Sequence, residues 1–209
     1  DLIPSSHLSD YRGFPGLHLP GNRRKVRQTR LLDQSIRTLR NADLTIVSDF
    51  RDADRLVGKG IVTDDRVAVL PRGISDNRLR ELGELAPPPS GIRRVAYTGS
   101  FDRLKASHEL PELVTRVCKA IPASSFRLIG PYGSVQSSER VLSLLPSAIR
   151  ERVEVIERYE THELPSLLAE CSVGVTSSYC DHFPCGILEM LAAGLSVAAY
   201  DTPGVPMVL

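Results

Sequence analysis

No apolar run in this sequence approaches membrane-spanning length, and no secretory signal precedes the first strand its pattern predicts, which leaves no candidate for a spanning helix. Neither sign of charge dominates. Lysine plus arginine number 26 and aspartate plus glutamate 25, for a net charge of +1, so the basic surplus of a dedicated nucleic-acid binder is missing. Cysteine is scarce. Cys118, Cys171, Cys180 and Cys185 have no framework spacing and read as reduced thiols in a cytoplasmic protein. Cys180, His182 and Cys185 form a small soft-ligand cluster, but a fourth ligand is lacking, and no metal is expected. Internal repeats and low-complexity tracts are absent too.

What is present is the composition of a globular protein, 42% hydrophobic and 24% charged, with length enough for one or two domains. The most informative stretch is DHFPCGILEMLAAG, residues 181–194. It places Asp181 and Glu189 with seven residues between them, the second inside a short apolar helix. Pro184 is suited to open that helix and Gly194 to close it. Ile187, Leu188, Leu191 and Leu195 form its expected core-facing side. A carboxylate in so apolar a segment is costly unless something hydrogen-bonds it. Apolar segments 173–178 and 196–200 on either side read as buried strands. In an open parallel sheet, ligands gather at strand carboxyl ends and helix N-termini, where Asp181 and the amides of 183–187 are expected.

Residues 1–20 look irregular. A helix is predicted over 22–40, its first half basic through Arg23, Arg24, Lys25, Arg27 and Arg30. Such a run is either a solvated face or a patch for a membrane surface or acidic partner. A strand at 44–48, a helix at 49–59 and a second strand with its exit loop at 66–73 follow. Three consecutive prolines within 84–91 mark a linker. From Arg93 onward strands (95–99, 126–130, 153–156, 173–177, 196–200) alternate with helices (near 107–120, 136–150, 162–171, 184–194). That alternation predicts an α/β fold with a doubly wound, Rossmann-like parallel sheet.

The 181–194 stretch resembles the acid-x7-acid signature of retaining glycosyltransferases of the GT-B fold, above all family 4, which reads roughly Glu-x-Phe-Gly/Pro-x4-Glu. Here Asp181, Phe183, Pro184 and Glu189 occupy those positions. The resemblance implies that Glu189 holds the ribose hydroxyls of a nucleotide-sugar and that Asp181 faces the donor sugar. It also implies that the backbone of Phe183, Pro184, Cys185 and Gly186 meets sugar and phosphate. After the first strand of the second half, the family has Gly-Arg-x-x-x-x-Lys-Gly with its cations on the diphosphate. This chain has Gly99, Ser100, Lys105 and Ala106 there, and Arg103 stands to replace the lost arginine. Tyr159, in the loop after the third strand, is placed by the nucleobase. Thr176 and Ser177 close the fourth strand where the family often has Pro-Ser, their hydroxyls either binding phosphate or merely ending the strand, and Gly204 belongs to a stretch resembling the family's glycine loop passing the donor sugar. Residues 71–75, Pro-Arg-Gly-Ile-Ser, resemble the Pro-Asn-Gly-x-Asp crossover that ends the first GT-B domain.

The resemblance therefore divides the chain into a remnant of the acceptor-side domain at 1–83, a linker at 84–92 and a donor-binding domain at 93–209. We expect a chain truncated at both ends, since it opens at Asp1 and stops at Leu209 in an apolar segment. The implied activity is transfer of a hexosyl or other glycosyl group from a nucleoside-diphosphate sugar, with retention and without metal or other cofactor. The acceptor is a glycan, lipid or small molecule, reached in the cytoplasm or at its membrane surface. His7 and His18 sit in no motif and receive no role. Taken singly, Asp181 reads better as a turn or cap carboxylate and Glu189 as an acid favoured by the helix dipole, and Lys105 also reads as a surface lysine; taken together with Gly99 and the Gly204 loop in the right order, the enzyme reading wins. Two further readings compete: a nucleotide-sugar epimerase on the same scaffold, and a non-catalytic nucleotide- or partner-binding domain, for which Arg72, Ser75, Ser100 and Asp181 speak.

Overall fold

The computed structural model describes residues 21–86, 93–102, 104–131, 137–179, 181, 183–202 and 204–209, with the side chains of 21–28 and Arg93 left aside. Predicted features at 1–20, most of the 84–92 linker, and Arg103, Cys180 and His182 lie outside the described residues. The chain forms two compact units, Asp1–Pro71 and Arg72–Leu209.

In the first unit, helix α1 (Gly21–Asn41) precedes strand β1 (Thr45–Val47), helix α2 (Phe50–Gly58) and strand β2 (Val67–Val69). The two strands pair in parallel, Ile46 opposite Ala68. Asp49 starts α2 by accepting the amides of Arg51 and Asp52, as an N-cap aspartate does. Leu56, Ile61 and Val62 are buried together, with Ile36, Leu39, Val47, Val57 and Val67 packed on them. Most of the basic run falls on the side chains left aside; Arg30 is exposed. Among the described residues, no helix is long and apolar enough to cross a membrane.

The second unit opens with helix α3 (Asp76–Gly83), which the pattern reading did not find. Five parallel strands follow: β3 (Arg93–Thr98), β4 (Ser124–Ile129), β5 (Val153–Ile156), β6 (Val173–Thr176) and β7 (Ser196–Ala199), in spatial order β5-β4-β3-β6-β7. The sheet thus grows outward in one direction from β3 to β5, then returns to add β6 and β7 on the other side. Helices α4 (Leu110–Ala120), α5 (Ser138–Ser143), α6 (Leu164–Leu168) and α7 (Cys185–Ala192) link the strands. The expected α/β, doubly wound, Rossmann-like sheet is present. Side chains alternate between two buried clusters, as a sheet covered on both faces demands. Val95, Tyr97, Phe126 and Leu128 meet Leu110, Val114, Cys118 and Val141. Ala96 and Ile129 join Leu82, Leu164, Leu168, Met190 and Leu195.

Three local expectations need correction. The single helix at 136–150 is two pieces, because Pro146 cannot continue the ladder and instead precedes a 3-10 helix, Ser147–Arg152. The helix expected near 162–171 begins as a 3-10 turn capped at Glu160, whose amide donates to Glu163 Oε2 at 2.6 Å, and its α-helical part covers only Leu164–Leu168. On α7 the buried residues are Ile187 and Met190, while Leu191 faces solvent. Gly194 closes α7 as expected. At φ 79° it donates to Leu191 O, and Leu195 N reaches Met190 O, the paired bonds of a Schellman turn.

The start of β4 is tied to the end of α4 by Arg152, whose guanidinium donates to the carbonyls of Cys118, Ile121 and Ser124 at 2.5 to 2.9 Å. Arg152→Met should destabilise the fold by about 2–3 kcal/mol, since it orphans carbonyls that accept charged hydrogen bonds. Urea unfolding followed by circular dichroism measures this; an unchanged midpoint contradicts it.

Candidate active site at the strand-order reversal

The order reverses between β3 and β6, and in such sheets a crevice opens there beyond the strand carboxyl ends. The loops leaving those two strands carry most of the residues singled out from the sequence. Gly99 follows β3 with φ 148°, and its amide donates to Ile129 O. Ser100 hydrogen-bonds its hydroxyl to Asp102 Oδ2, and Asp102 Oδ1 accepts the Lys105 amide at 3.1 Å. Asp102, which the sequence reading passed over, is thus the loop's organiser. Ala106, where the resembling family has glycine, is fully buried at φ 50° and is the only described non-glycine with positive φ.

The β3 and β6 exit loops are stitched together. Ser177 Oγ donates to Lys105 O at 2.9 Å, and the Tyr179 amide to Leu104 O at 2.8 Å. Lys105 Nζ then meets Asp181 Oδ2 at 2.5 Å, an ion pair of partly exposed groups. Thr176 Oγ1 lies 3.3 Å from Ser178 Oγ. A second tie runs through Glu109, which accepts from the Tyr179 hydroxyl and, at 2.7 Å, from that of Tyr200. Those two tyrosine rings stack with centroids 6.2 Å apart. Nothing in the linear pattern links 109, 179 and 200.

Helix α7 presses its first turn onto the end of β3. A Cβ on Gly186 would stand 2.6 Å from Thr98 Oγ1, so any other residue there forces Thr98 or the helix to shift. Phe183 and Pro184 are buried beneath that turn. The expectation that all the amides of 183–187 are offered to a ligand needs amendment. Pro184 has none, Cys185 donates to Phe183 O at 3.0 Å, and Ile187 donates to Pro184 O at 2.9 Å. The Phe183 and Gly186 amides have no partner among the described residues.

Glu189, one turn further on, receives the guanidinium of Arg78 from α3. Nε and Nη2 of Arg78 both lie 3.2 Å from Glu189 Oε1. Arg78 is 7% exposed and also reaches Glu81 at 3.4 Å. Tyr159 stands nearby, half-buried, its ring against Gly130. Burial raises its pKa, the negative charge of Glu189 adds to that rise, and Arg78 opposes it. Gly204, at φ 88°, opens a short 3-10 helix after β7. Arg78 was missed from the sequence because 111 positions separate it from its partner.

The fold is that of GT-B glycosyltransferases. The chain is similar to Anabaena HepE crystallised with UDP and glucose, with a TM-score of 0.62 and 17% identity over 87% of this chain and 50% of that one. It is also similar to the pneumococcal O-GlcNAc transferase GtfA in complex with UDP and GlcNAc (0.64, 18%, 83% and 33%). A third likeness is to a glycosyltransferase from Rickettsia africae (0.66, 13%, 84% and 50%). The chain spans a third to a half of the length of these structures. No curated protein matches the sequence. Residues 87–209 match the family described as glycosyl transferases group 1, and the chain belongs to that family. Membership favours a transferase over the epimerase alternative.

Two outcomes test this geometry. Gly186→Ala should cost about 2 kcal/mol through overpacking, and Thr98→Ala in the same chain should recover most of it, because the clash is with one oxygen; a double-mutant cycle in denaturant reads the coupling. The hydrogen bonds from Tyr179 and Tyr200 hold the Glu109 carboxyl below its ordinary value of 4.5. Its folded-state value is the lower one, so its contribution to stability is complete above pH 4.5 and fades as pH falls through the depressed value. Melting curves of wild type and Glu109→Gln should therefore converge on acidification, and a constant gap contradicts the assignment.

Proposed function

We propose that residues 93–209 bind the donor of a retaining, metal-independent glycosyltransferase of family 4 type, and that 1–83 derives from an acceptor-side domain joined to them by 84–92, with its last helix, α3, packed into the second unit. The observation that carries this reading is the Lys105–Asp181 ion pair. Residues 76 positions apart meet at the strand-order reversal, beside the first turn of α7. In this reading Glu189 accepts the ribose hydroxyls, Tyr159 lies by the base, and Lys105 with Arg103 faces the diphosphate. Ser100 and Ser177 shape that loop, Gly99 and Gly204 let backbone approach the donor, and the Phe183–Gly186 turn contributes amides and its dipole. Asp181 faces the sugar.

The chemistry follows from charge. As the glycosidic bond to the leaving diphosphate breaks, negative charge gathers on the phosphate oxygens, and a fixed cation there lowers the barrier. Before donor arrives, Asp181 holds that cation in place. The incoming diphosphate competes with Asp181 for Lys105, which frees the carboxylate toward the sugar as the phosphate is clamped. The UDP complexes of the neighbouring structures make UDP the first nucleotide to try.

Calorimetric titration with UDP, GDP and ADP in EDTA tests the proposal. One nucleotide should bind, Glu189→Ala should lose about 1.5–3 kcal/mol of that affinity, and Lys105→Ala a comparable amount. Asp181→Asn should bind at least as tightly as wild type, because it releases Lys105. Failure of the folded wild type to bind any of the three, even without EDTA, sinks the donor-site assignment. Retention is read from the anomeric proton of the product formed by the full-length protein.

A further inference from the structure

Glu189 does not stand alone. Both Arg78 bonds fall on Oε1, and Oε2 has no hydrogen bond among the described residues. A carboxylate free to rotate about its last torsion presents its oxygens in many directions, and a ligand must freeze it on binding. One gripped at a single oxygen by a planar, two-pronged donor has its other oxygen already aimed. The grip itself is rigid. Ser75 Oγ accepts the Arg78 amide at 3.3 Å at the start of α3, and Leu82 on the same helix is fully buried in the cluster that holds Met190 of α7. The cation has a second effect. Glu189 alone is a negative charge beside the path of a diphosphate; paired with Arg78 it is neutralised without losing an acceptor.

We propose that Arg78 is a positioning residue that fixes Glu189 so that Oε2 alone receives the sugar hydroxyls, and that it thereby sets the preference for ribonucleotides over 2′-deoxyribonucleotides. This rests on the donor-site reading above. Arg78 lies outside the residues matched to the family, 87–209, so family membership does not supply the role. The substrate class it selects is a nucleoside diphosphate with a free 2′-hydroxyl.

The test is a set of titrations of the whole chain with UDP, GDP and ADP and with their 2′-deoxy counterparts, on wild type, Arg78→Lys, Arg78→Gln and Glu189→Gln, with melting temperatures recorded alongside. Wild type should favour the ribonucleotide. Arg78→Gln should lose about tenfold in ribonucleotide affinity and little for the deoxy form, so that the ratio falls toward that of Glu189→Gln. Arg78→Lys, with one point charge in place of the fork, should lie between. Folded Arg78 variants whose ribo-to-deoxy ratio equals that of wild type overturn the proposal, even if both affinities or the melting temperature drop. The wild-type arm separates the two layers. Wild type that binds both sugars equally removes the ribose role of Glu189, and wild type that binds neither removes the donor site itself.

Discussion

One close approach governs the architecture of the second unit: the first turn of α7 lies on the end of β3 with only a glycine hydrogen between them. Gly186 faces Thr98 Oγ1 at a distance no Cβ could occupy. Because α7 also packs Met190 against Gly174 of β6, the helix is held against both strands at the strand-order reversal. Its position then fixes everything it carries. Phe183 and Pro184 are buried under its start, Asp181 comes within reach of Lys105, and Glu189 faces α3.

Those pairings decide the electrostatics. Two carboxylates beside the crevice would repel the diphosphate proposed to enter it, yet each has a cation supplied by another element: Lys105 from the β3 exit loop and Arg78 from α3. The pairs differ in burial and therefore in what they can do. Asp181 and Lys105 remain partly solvated, at 17% and 30% side-chain exposure, so exchange of one anion for another at Lys105 costs little reorganisation. Arg78 is enclosed at 9%, and breaking that pair would leave a buried guanidinium with only Glu81, at 3.4 Å, to balance it, which is more costly. One pair is suited to exchange and the other to hold still.

The fold was legible because its elements are short, apolar and regularly alternating, and all five strands of the larger sheet overlap the apolar segments predicted as strands. The α7 segment was legible for a different reason: a proline start, a glycine end and two acids at fixed spacing are local signals. What pattern could not reveal were pairings made across the chain. Arg78 with Glu189 and Glu109 with two tyrosines depend on strand order, which a linear sequence does not display. Helix α3 was not legible although Ser75 is a good cap, because its eight residues carry only Leu79 and Leu82 as large apolar side chains, too few to show a helical stripe. The core face of α7 was misjudged at Leu191 since leucine and methionine fit a short helical stripe equally well, and the neighbouring Gly174 decided in favour of Met190.

Departures from the family pattern gain meaning once the loops are seen. Ser75, where aspartate is usual, still caps α3 through its hydroxyl, and so preserves the helix that delivers Arg78. Ser100 stands in place of an arginine and brings no charge, but it binds Asp102, whose other oxygen holds the Lys105 amide. Ala106 in place of glycine accepts a left-handed backbone at a cost of about 1–2 kcal/mol, and its methyl is fully buried, which offsets part of that cost. Ser100 gives up a charge and Ala106 adds a methyl, yet both sit in the turn that brings Lys105 to Asp181, so the pair depends on the loop's shape more than on the identity of those two side chains.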